Sequence, residues 1–328
     1  MKSRLFLRAA SKLVTSQRIF ASTKTVGGAG VKVFDRGVKL QQREWAAAQD
    51  EFDVVQYVKE EIGYRVADKI YDLTQFSPVC LDIGCGAGHI APHVFKENVG
   101  CLIQADMSAS LVGRSNVSEE VPTLKVVCDE ELVPFRANSI DLIVSSLSAH
   151  WINDLPTWFR RCYEVLRPDS VMIGAMFSGD TLFELRCSLQ LAEIERLGGV
   201  GSHISPFAQV QDIGSLMNRA GFDMITLDSD ELVVGYPDMF ALMYDLQGMG
   251  ESSAAHRRSP HLRRDVLIAA DAIYKEMYGK EGSCSASFQT LSFIGWKPGP
   301  KMPKPAKRGS QTASFKDMTK LSENPPPI

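Results

Sequence analysis

Five short apolar segments recur along the chain, and stretches with helical patterning separate them. Their boundaries are 79–83, 101–105, 124–128, 140–145 and 170–177. Apolar strands that alternate with helices are typical of a parallel sheet covered by helices on both faces. Two further β-like segments, near 222–228 and 287–296, bring the expected total to seven strands. We therefore predict an α/β fold with a doubly wound, mostly parallel sheet whose last strand is antiparallel.

Helical patterning fills most of the remaining chain. Two helices are expected before the first strand, one directly after the glycine-rich segment that follows it, and others at 155–166, 180–197, 209–220, 237–248 and 261–279. The predicted organisation is an N-terminal helical lid (31–75), a main domain (76–296) with a helical cap inserted around 178–280, and a disordered tail (297–328). Phe34 and Trp45 are expected in the lid, although both also suit ordinary packing of amphipathic helices.

Charge is spread unevenly along the chain. Residues 1–34 contain seven basic and no acidic side chains, which leaves 29 Lys and Arg against 39 Asp and Glu, a formal charge of −10, for residues 35–328. This acidic body argues against a nucleic-acid partner, whose phosphates need a basic surface. The leader mixes Arg and Lys with Ser, Thr and Leu, which is typical of a mitochondrial transit peptide over 1–30, the alternative being a disordered basic tail. No apolar run approaches the roughly 18 residues that span a bilayer, so any membrane contact is expected to be peripheral.

The segment "LDIGCGAGH" places a glycine-rich turn directly after the first strand. Glycines let the backbone approach a ligand closely because they have no Cβ. The order Gly84, Gly86, Gly88 is G-x-G-x-G, whereas the dinucleotide motif needs a third glycine where His89 stands. Asp82 would repel a pyrophosphate and attract an ammonium or a sulfonium. These residues predict S-adenosylmethionine as the cofactor.

Polar residues at the other strand ends indicate the same ligand. Ligands of open α/β sheets bind at the carboxyl ends of the strands. Asp106 is placed to accept both ribose hydroxyls, and Asp129 to accept the exocyclic amine of adenine. Each residue alone also suits a turn or a helix cap, so the prediction depends on their combination. The predicted cofactor-binding set is Asp82, Gly84, Gly86, Gly88, Asp106, Met107, Asp129, Glu130, Ser146 and Leu147.

Several segments resemble known families. A resemblance to the class I S-adenosylmethionine-dependent methyltransferases, and to their malonyl carrier-protein methyltransferase group, rests on "LDIGCGAG", "DEELVPF" and "SSLSAHWINDLP". A resemblance to the mitochondrial complex I assembly factor 5 family rests on "VFDRGVKLQQREWAA", "GAMFSGDTLFELRCSLQLAE", "SHISPF", "MFALMYDLQGMGES" and "RGSQTASF". The second resemblance is the more specific, since its segments lie outside the cofactor motif.

The second resemblance implies a function. It implies an enzyme on a class I methyltransferase-like fold that hydroxylates an arginine of the complex I iron–sulfur subunit next to the quinone site. It also implies a place in the mitochondrial matrix, peripheral to the inner membrane. Two alternatives stay open, a true methyltransferase acting on a protein or a small acid, and a non-catalytic assembly chaperone. The six histidines include no H-x-D/E pattern, and we predict no metal site, although His89 and His93 would share a face of a helix there.

The predicted substrate pocket follows the fourth and fifth strands. His150 and Trp151 come beside the expected position of the cofactor's methyl group, although a Trp there also suits a buried anchor. Asp180 and Glu184 are predicted to bind the guanidinium that the resemblance implies, with Asp180 equally suited to cap a helix. These four residues form the predicted catalytic set. Further acids that could edge the pocket are Asp228, Asp230, Glu231, Asp238, Asp245 and Glu251.

Overall fold

The computed structural model describes residues 32–258, 261–280, 282–302 and 308–309. The predicted transit peptide (1–30) and most of the predicted tail (297–328) therefore lie outside the described residues. The ordered domain continues past the predicted boundary at 296. The N–H of Lys297 donates to the Ser170 carbonyl at 2.8 Å, and its carbonyl accepts from the Asp169 N–H at 3.0 Å.

Eight strands form one sheet among the described residues. They are β1 (Cys80–Ile83), β2 (Leu102–Asp106), β3 (Thr123–Val127), β4 (Ile140–Ser146), β5 (Leu166–Phe177), β6 (Asp223–Tyr236), β7 (Gly279–Lys280) and β8 (Ser283–Trp296). The order is β3-β2-β1-β4-β5-β8-β6, and the two-residue β7 pairs with β8. β1 to β5 pair in parallel, whereas β8 is antiparallel to both β5 and β6. The predicted mostly parallel sheet is confirmed, with β7 as an addition and β6 longer than expected.

Helices cover both faces of this sheet. They are α1 (Arg36–Ala47), α2 (Tyr57–Tyr71), α3 (Ala109–Arg114), α4 (Leu155–Val165), α5 (Phe183–Leu197), α6 (Val210–Ala220), α7 (Met239–Gly248) and α8 (Arg264–Tyr278). Aspartate caps begin α1, α4 and α7, where Asp35, Asp154 and Asp238 each accept a backbone N–H three residues on. One core layer joins the sheet to α2, α5, α7 and α8. The other joins it to α4 and α6.

The predicted helix directly after the glycine-rich turn is wrong. The chain forms tight turns there and a three-residue 3-10 helix, Ala91–His93. Pro92 has no N–H to donate into an α-helix, and Val94 is already extended, with φ −102° and ψ 124°. His89 and His93 therefore share no α-helical face. Residues 128–139, between β3 and β4, likewise form turns where a helix was expected.

The helices of the predicted lid do not stay together in the structure, and neither do those of the predicted cap. Within 31–75, α1 lies over the carboxyl ends of the strands, but α2 belongs to a core layer, with Val58, Ile62 and Val66 fully buried. Within 178–280, α5, α7 and α8 pack on the same face as α2, while α6 packs on the opposite face. The part that positions the site is thus α1 together with the segments that connect α5 to α6 and α7 to α8.

Candidate functional site

The glycine-rich turn has the backbone conformation that glycine alone adopts readily. Gly84, Gly86 and Gly88 have φ of +73°, +53° and +76°, in the left-handed region. A Cβ on Gly84 would overlap the Ser148 hydroxyl, whereas a Cβ on Gly86 would meet no atom within 4 Å among the described residues. The turn is therefore packed at Gly84 and open at Gly86, as a backbone cradle for a ligand requires.

Asp82 is a buried carboxylate beneath this turn. It is 0% exposed, and neither carboxylate oxygen has a hydrogen-bond partner among the described residues. Burial, together with the charge of Asp106, raises the pKa of Asp82 from 3.8 to about 8. Such an unpaired group in an interior is costly, and this is typical of a side chain whose partner is a ligand. An ammonium or a sulfonium fits this position, and a diphosphate does not.

Asp106 is buried at the end of β2, as the sequence predicted, but its acceptor positions are in use. Oδ1 accepts from the Ser108 N–H at 2.8 Å and Oδ2 from the Gly86 N–H at 3.1 Å. Both oxygens lie 3.2 Å from Nη1 of Arg43, a residue of α1. Each carboxylate oxygen has about two acceptor sites, so Arg43 occupies those that ribose hydroxyls would use.

Glu130 and Asp129 also bind arginines of α1. Glu130 Oε1 lies 2.8 Å from Arg43 Nη1 and 2.9 Å from Arg36 Nη2, and Asp129 Oδ1 lies 2.8 Å from Arg36 Nη2. Burial opposes the ionisation of Glu130, but Arg36 and Arg43 outweigh it and lower its pKa from 4.5 to about 2. The adenine side of the predicted site is therefore an ion-pair network between α1 and the loop after β3.

The remaining predicted cofactor residues lie near this network. Ser146 ends β4, and its buried Oγ has no hydrogen-bond partner within the described part of the chain. Leu147 is buried with φ +47°, an uncommon conformation for a branched side chain. Met107 is half-buried after β2. The Ser146 hydroxyl, which has no partner among the described residues, and the strained turn at Leu147 both lie at the strand end where ligands of this fold bind.

His150 and Trp151 meet at a buried glutamate. Glu251 Oε2 lies 3.1 Å from His150 Nε2 and accepts from Trp151 Nε1 at 2.8 Å, while Oε1 pairs with Lys59 Nζ at 2.8 Å. Burial opposes the ionisation of Glu251, but Lys59 and His150 hold its pKa well below 4.5. Burial also lowers the pKa of His150. Glu251 was only one of several acids suggested by the sequence, and the structure makes it the centre of this cluster.

A cavity of about 340 Å³ opens beside this cluster. Trp151, Phe177 and Glu251 line it together with α5, α7 and residues 202–207. Its size lies within the range of small-ligand sites. The short turn from Leu147 to Trp151 separates the cavity from the glycine-rich turn, since Ser148 contacts Gly84 and Trp151 lines the cavity. The predicted cofactor site and the predicted substrate pocket are therefore adjacent.

Asp180 and Glu184 do not line this cavity. Asp180 is exposed and precedes α5, whose N-cap is Leu182, so Asp180 neither lies on the helix with Glu184 nor caps it. Glu184 is buried and accepts from the Ser287 hydroxyl at 2.6 Å and from the Ser287 N–H at 3.2 Å. Its carboxylate joins α5 to β8, which is a packing role.

Sequence reasoning missed the cations of α1. Arg36, Lys39 and Arg43 follow i, i+3, i+7 spacing, so they share one helix face. Lys39 is 0% exposed, donates to the Gly250 and Ser252 carbonyls at 3.0 and 2.9 Å, and lies 3.3 Å from the centre of the Trp151 ring. The sequence signal is this spacing, which marks a basic helix face but does not identify the acids that it meets.

Two kinds of feature are absent from the described residues. No group of three His, Cys, Asp or Glu side chains is arranged to hold a metal ion within this part of the chain. No described helix is long and apolar enough to cross a membrane.

Known proteins share both the fold and most of the length of this chain. The family described as "Methyltransferase domain" matches residues 81–174, which include the glycine-rich turn. The mitochondrial arginine-hydroxylase NDUFAF5 of Danio rerio is 52% identical, over 90% of this chain and 92% of the relative. The Homo sapiens protein of the same name is 50% identical, over 90% and 86%. The chain belongs to the NDUFAF5 family.

Membership of the NDUFAF5 family confirms the resemblance found in the sequence. A malonyl-[acyl-carrier protein] O-methyltransferase of Methylovorus sp. is 28% identical, over 78% of this chain and 88% of the relative. A solved structure of a candidate methyltransferase from Bacillus halodurans has a TM-score of 0.50 at 15% identity, over 72% of this chain and 99% of that one. This likeness shows the fold, and the predicted class I methyltransferase-like fold is confirmed.

Proposed function

We propose that this chain is a protein-arginine hydroxylase of mitochondria that acts in complex I assembly, on a scaffold that binds S-adenosylmethionine. The observation that carries the proposal is the extent of the match to arginine hydroxylases, which covers 90% of the chain and so includes most of the segment that builds the cavity. Similarity restricted to the cofactor half would support only a shared scaffold.

The proposed cofactor site is the predicted set of strand-end residues. Asp82 would bind the cationic amino-acid part, the backbone of Gly84, Gly86 and Gly88 would contact it closely, and Ser146 and Leu147 would form the floor. Asp106, Met107, Asp129 and Glu130 would contact the nucleoside, which requires Arg43 to release Asp106. The orphaned buried oxygens of Asp82 and Ser146 support this assignment. When bound, the cofactor supplies a methyl group activated by a sulfonium.

The proposed substrate is an arginine of the complex I iron–sulfur subunit near the quinone site, entering the cavity beside Trp151. Apolar walls suit the methylene stem of arginine. Trp151 would contact this side chain, and His150 and Glu251 would hold the indole in place. Asp180, which is exposed, and Glu184, which is bound to Ser287, have weaker support from the geometry. The proposed location is the matrix, with peripheral contact to the inner membrane.

A methyltransferase is the second candidate function. The similarity to malonyl-[acyl-carrier protein] O-methyltransferase over 78% of the chain favours it, as does the intact glycine-rich turn. Its substrate would be a protein or a small acid. A third possibility, a non-catalytic assembly chaperone, would need the cofactor only as a structural ligand.

Mass spectrometry of the iron–sulfur subunit separates these functions. The subunit is purified from cells that lack this protein and from the same cells rescued with the full chain. The proposed function predicts one arginine that is heavier by one oxygen atom in the rescued cells alone. A methyl group in its place would establish the methyltransferase. An identical subunit in both samples, with assembly still restored, would leave the chaperone.

A further inference from the structure

The segment "SHISPF", residues 202–207, forms one wall of the cavity, and its histidine is held by a buried carboxylate. Nε2 of His203 lies 2.6 Å from Glu193 Oε1 on α5. The other carboxylate oxygen, Oε2, accepts the Gly201 N–H at 2.5 Å. The Glu193 side chain is 5% exposed and the His203 side chain 11%. Glu193 is thus fixed through both oxygens, and it fixes the imidazole in turn.

This arrangement sets the tautomer of His203. A carboxylate only accepts hydrogen bonds, so a neutral imidazole must carry its proton on Nε2. Nδ1 is then an acceptor, and it has no hydrogen-bond partner among the described residues. His203 lines the cavity. In the neutral ring, the fold itself therefore leaves the Nδ1 lone pair of a cavity-lining residue unused.

Two hydroxyls of the cavity can also accept hydrogen bonds from a ligand. The hydroxyls of Ser205 and Ser253 are buried and also lack partners within the described residues. Glu251 already binds Lys59, His150 and Trp151, so its acceptor capacity is largely used. Arg258 is the one arginine among the described residues that line the cavity. It donates to the Ala255 carbonyl at 2.9 Å and lies 4.0 Å from Asp35 Oδ2, which offsets its charge.

We propose that His203, oriented by Glu193, binds the guanidinium of the substrate by accepting one of its N–H bonds at Nδ1. A guanidinium carries five N–H donors and no acceptor, so it matches an acceptor of this kind. The apolar lining from Leu185, Leu189 and Phe207 would contact the methylene stem. This inference rests on the proposed function, because it takes the substrate to be an arginine. It makes His203 a substrate-binding residue and Glu193 a positioning residue.

The sharpest test exchanges one atom of Glu193. In Glu193→Gln the amide oxygen must turn to the fixed Gly201 N–H, so the amide NH₂ donates to His203 Nε2. The imidazole proton then moves to Nδ1, which becomes a donor facing a donor. Glu195→Gln is the matched control, since Glu195 is on the same helix and 61% of its side chain is exposed. Binding of N-acetyl-L-arginine amide to the full chain is measured by calorimetry.

We expect Glu193→Gln to weaken binding about tenfold or more, the usual effect of losing a hydrogen bond to a charged group, while Glu195→Gln leaves it unchanged. His203→Asn places an acceptor near Nδ1, and His203→Gln places its amide near Nε2. The Asn variant should therefore retain binding better than the Gln variant. The opposite order, equal binding by Glu193→Gln and the wild type, or no binding by the wild type would overturn the inference.

These results are separable from a failure of the proposed function. Suppose that Glu193→Gln binds the arginine amide as well as the wild type does, and that the wild type still adds oxygen to the subunit. Only the role of His203 would then be refuted. Suppose instead that the subunit arginine is never modified but the variants still differ in binding as expected. The hydroxylase function would then be refuted, and the guanidinium-binding site would stand.

Discussion

Asp82 determines which ligands the strand ends accept. Its carboxylate is buried and has no hydrogen-bond partner in the part of the chain that the structure describes, and burial with the neighbouring charge of Asp106 raises its pKa to about 8. At pH 7 the group is therefore mainly protonated in the unliganded protein. A cation placed beside it favours the ionised form, so cofactor binding and proton release are coupled.

We predict that S-adenosylmethionine releases a proton when it binds at pH 7 and that its affinity rises between about pH 6 and pH 8. The folded pKa lies above the ordinary value of 3.8, so the unliganded protein holds a proton that the unfolded chain has lost. Its free energy of unfolding should accordingly fall as pH rises from about 4 to about 8. Calorimetry in two buffers of different ionisation enthalpy measures the released proton. Equal heats in both buffers would contradict the prediction, and Asp82→Asn should remove the effect.

At the residue scale, the sequence predicts the position of a side chain well when a strand end sets that position. Asp82 and Asp106 lie at the carboxyl ends of β1 and β2, and the three glycines follow β1, so the alternation of strands and helices predicts where they lie in the fold. The partners of Asp106 and Glu130 could not be predicted in this way. Arg36 and Arg43 lie more than sixty residues earlier in sequence, and their pairing depends on how α1 docks.

α1 is the element that closes the cofactor half of the site. Its arginines bind Asp106, Asp129 and Glu130, and the backbone at Phe34 is held by Asn153, whose Oδ1 accepts the Phe34 N–H at 2.8 Å. The adjacent residue joins the opposite segment, since the Asp35 N–H donates to the Ala254 carbonyl at 2.7 Å. The contacts of α1 thus connect the strand ends to the segment after α7.

We predict that Arg43 competes with the ribose for Asp106. Arg43→Met should lower the free energy of unfolding of the unliganded protein by about 3 kcal/mol, because two buried carboxylates lose a partner. The same variant should bind S-adenosylhomocysteine several-fold more tightly, since Asp106 is freed. Chemical unfolding and calorimetry measure the two effects. Weaker binding would mean that Arg43 is part of the nucleoside site and not its competitor, and Arg114→Met, which changes an exposed ion pair, controls for charge.

Element boundaries were predictable where pattern and caps agree. α4 was expected at 155–166 and spans Leu155–Val165, with Asp154 as its cap. The expected helix after the glycine-rich turn failed because Pro92 and the left-handed glycines outweigh its apolar spacing. This difference affects the chemistry. The turn is not followed by an α-helix N-terminus within residues 89–95, which is the feature that binds a pyrophosphate in dinucleotide folds.

At the scale of the whole molecule, one sheet brings two sites together. β1 to β4 present the cofactor half at their carboxyl ends, and β5 with α5 and α7 builds the cavity. The mostly parallel sheet with an antiparallel last strand could be predicted from the strand pattern and the family resemblance. The cavity could not be predicted. It is built by coil segments such as 202–207 and by Glu251, and these residues belong to no periodic sequence pattern.

Calorimetric titration of the full chain with S-adenosylmethionine and with NAD tests the central claim, which is that an unpaired acid beneath a glycine-rich turn selects a sulfonium nucleoside. We predict saturable binding of S-adenosylmethionine, no binding of NAD, and a loss of about tenfold or more in affinity for Asp82→Ala, since a charge-assisted contact is removed. Tight binding of NAD with none of S-adenosylmethionine would contradict the account.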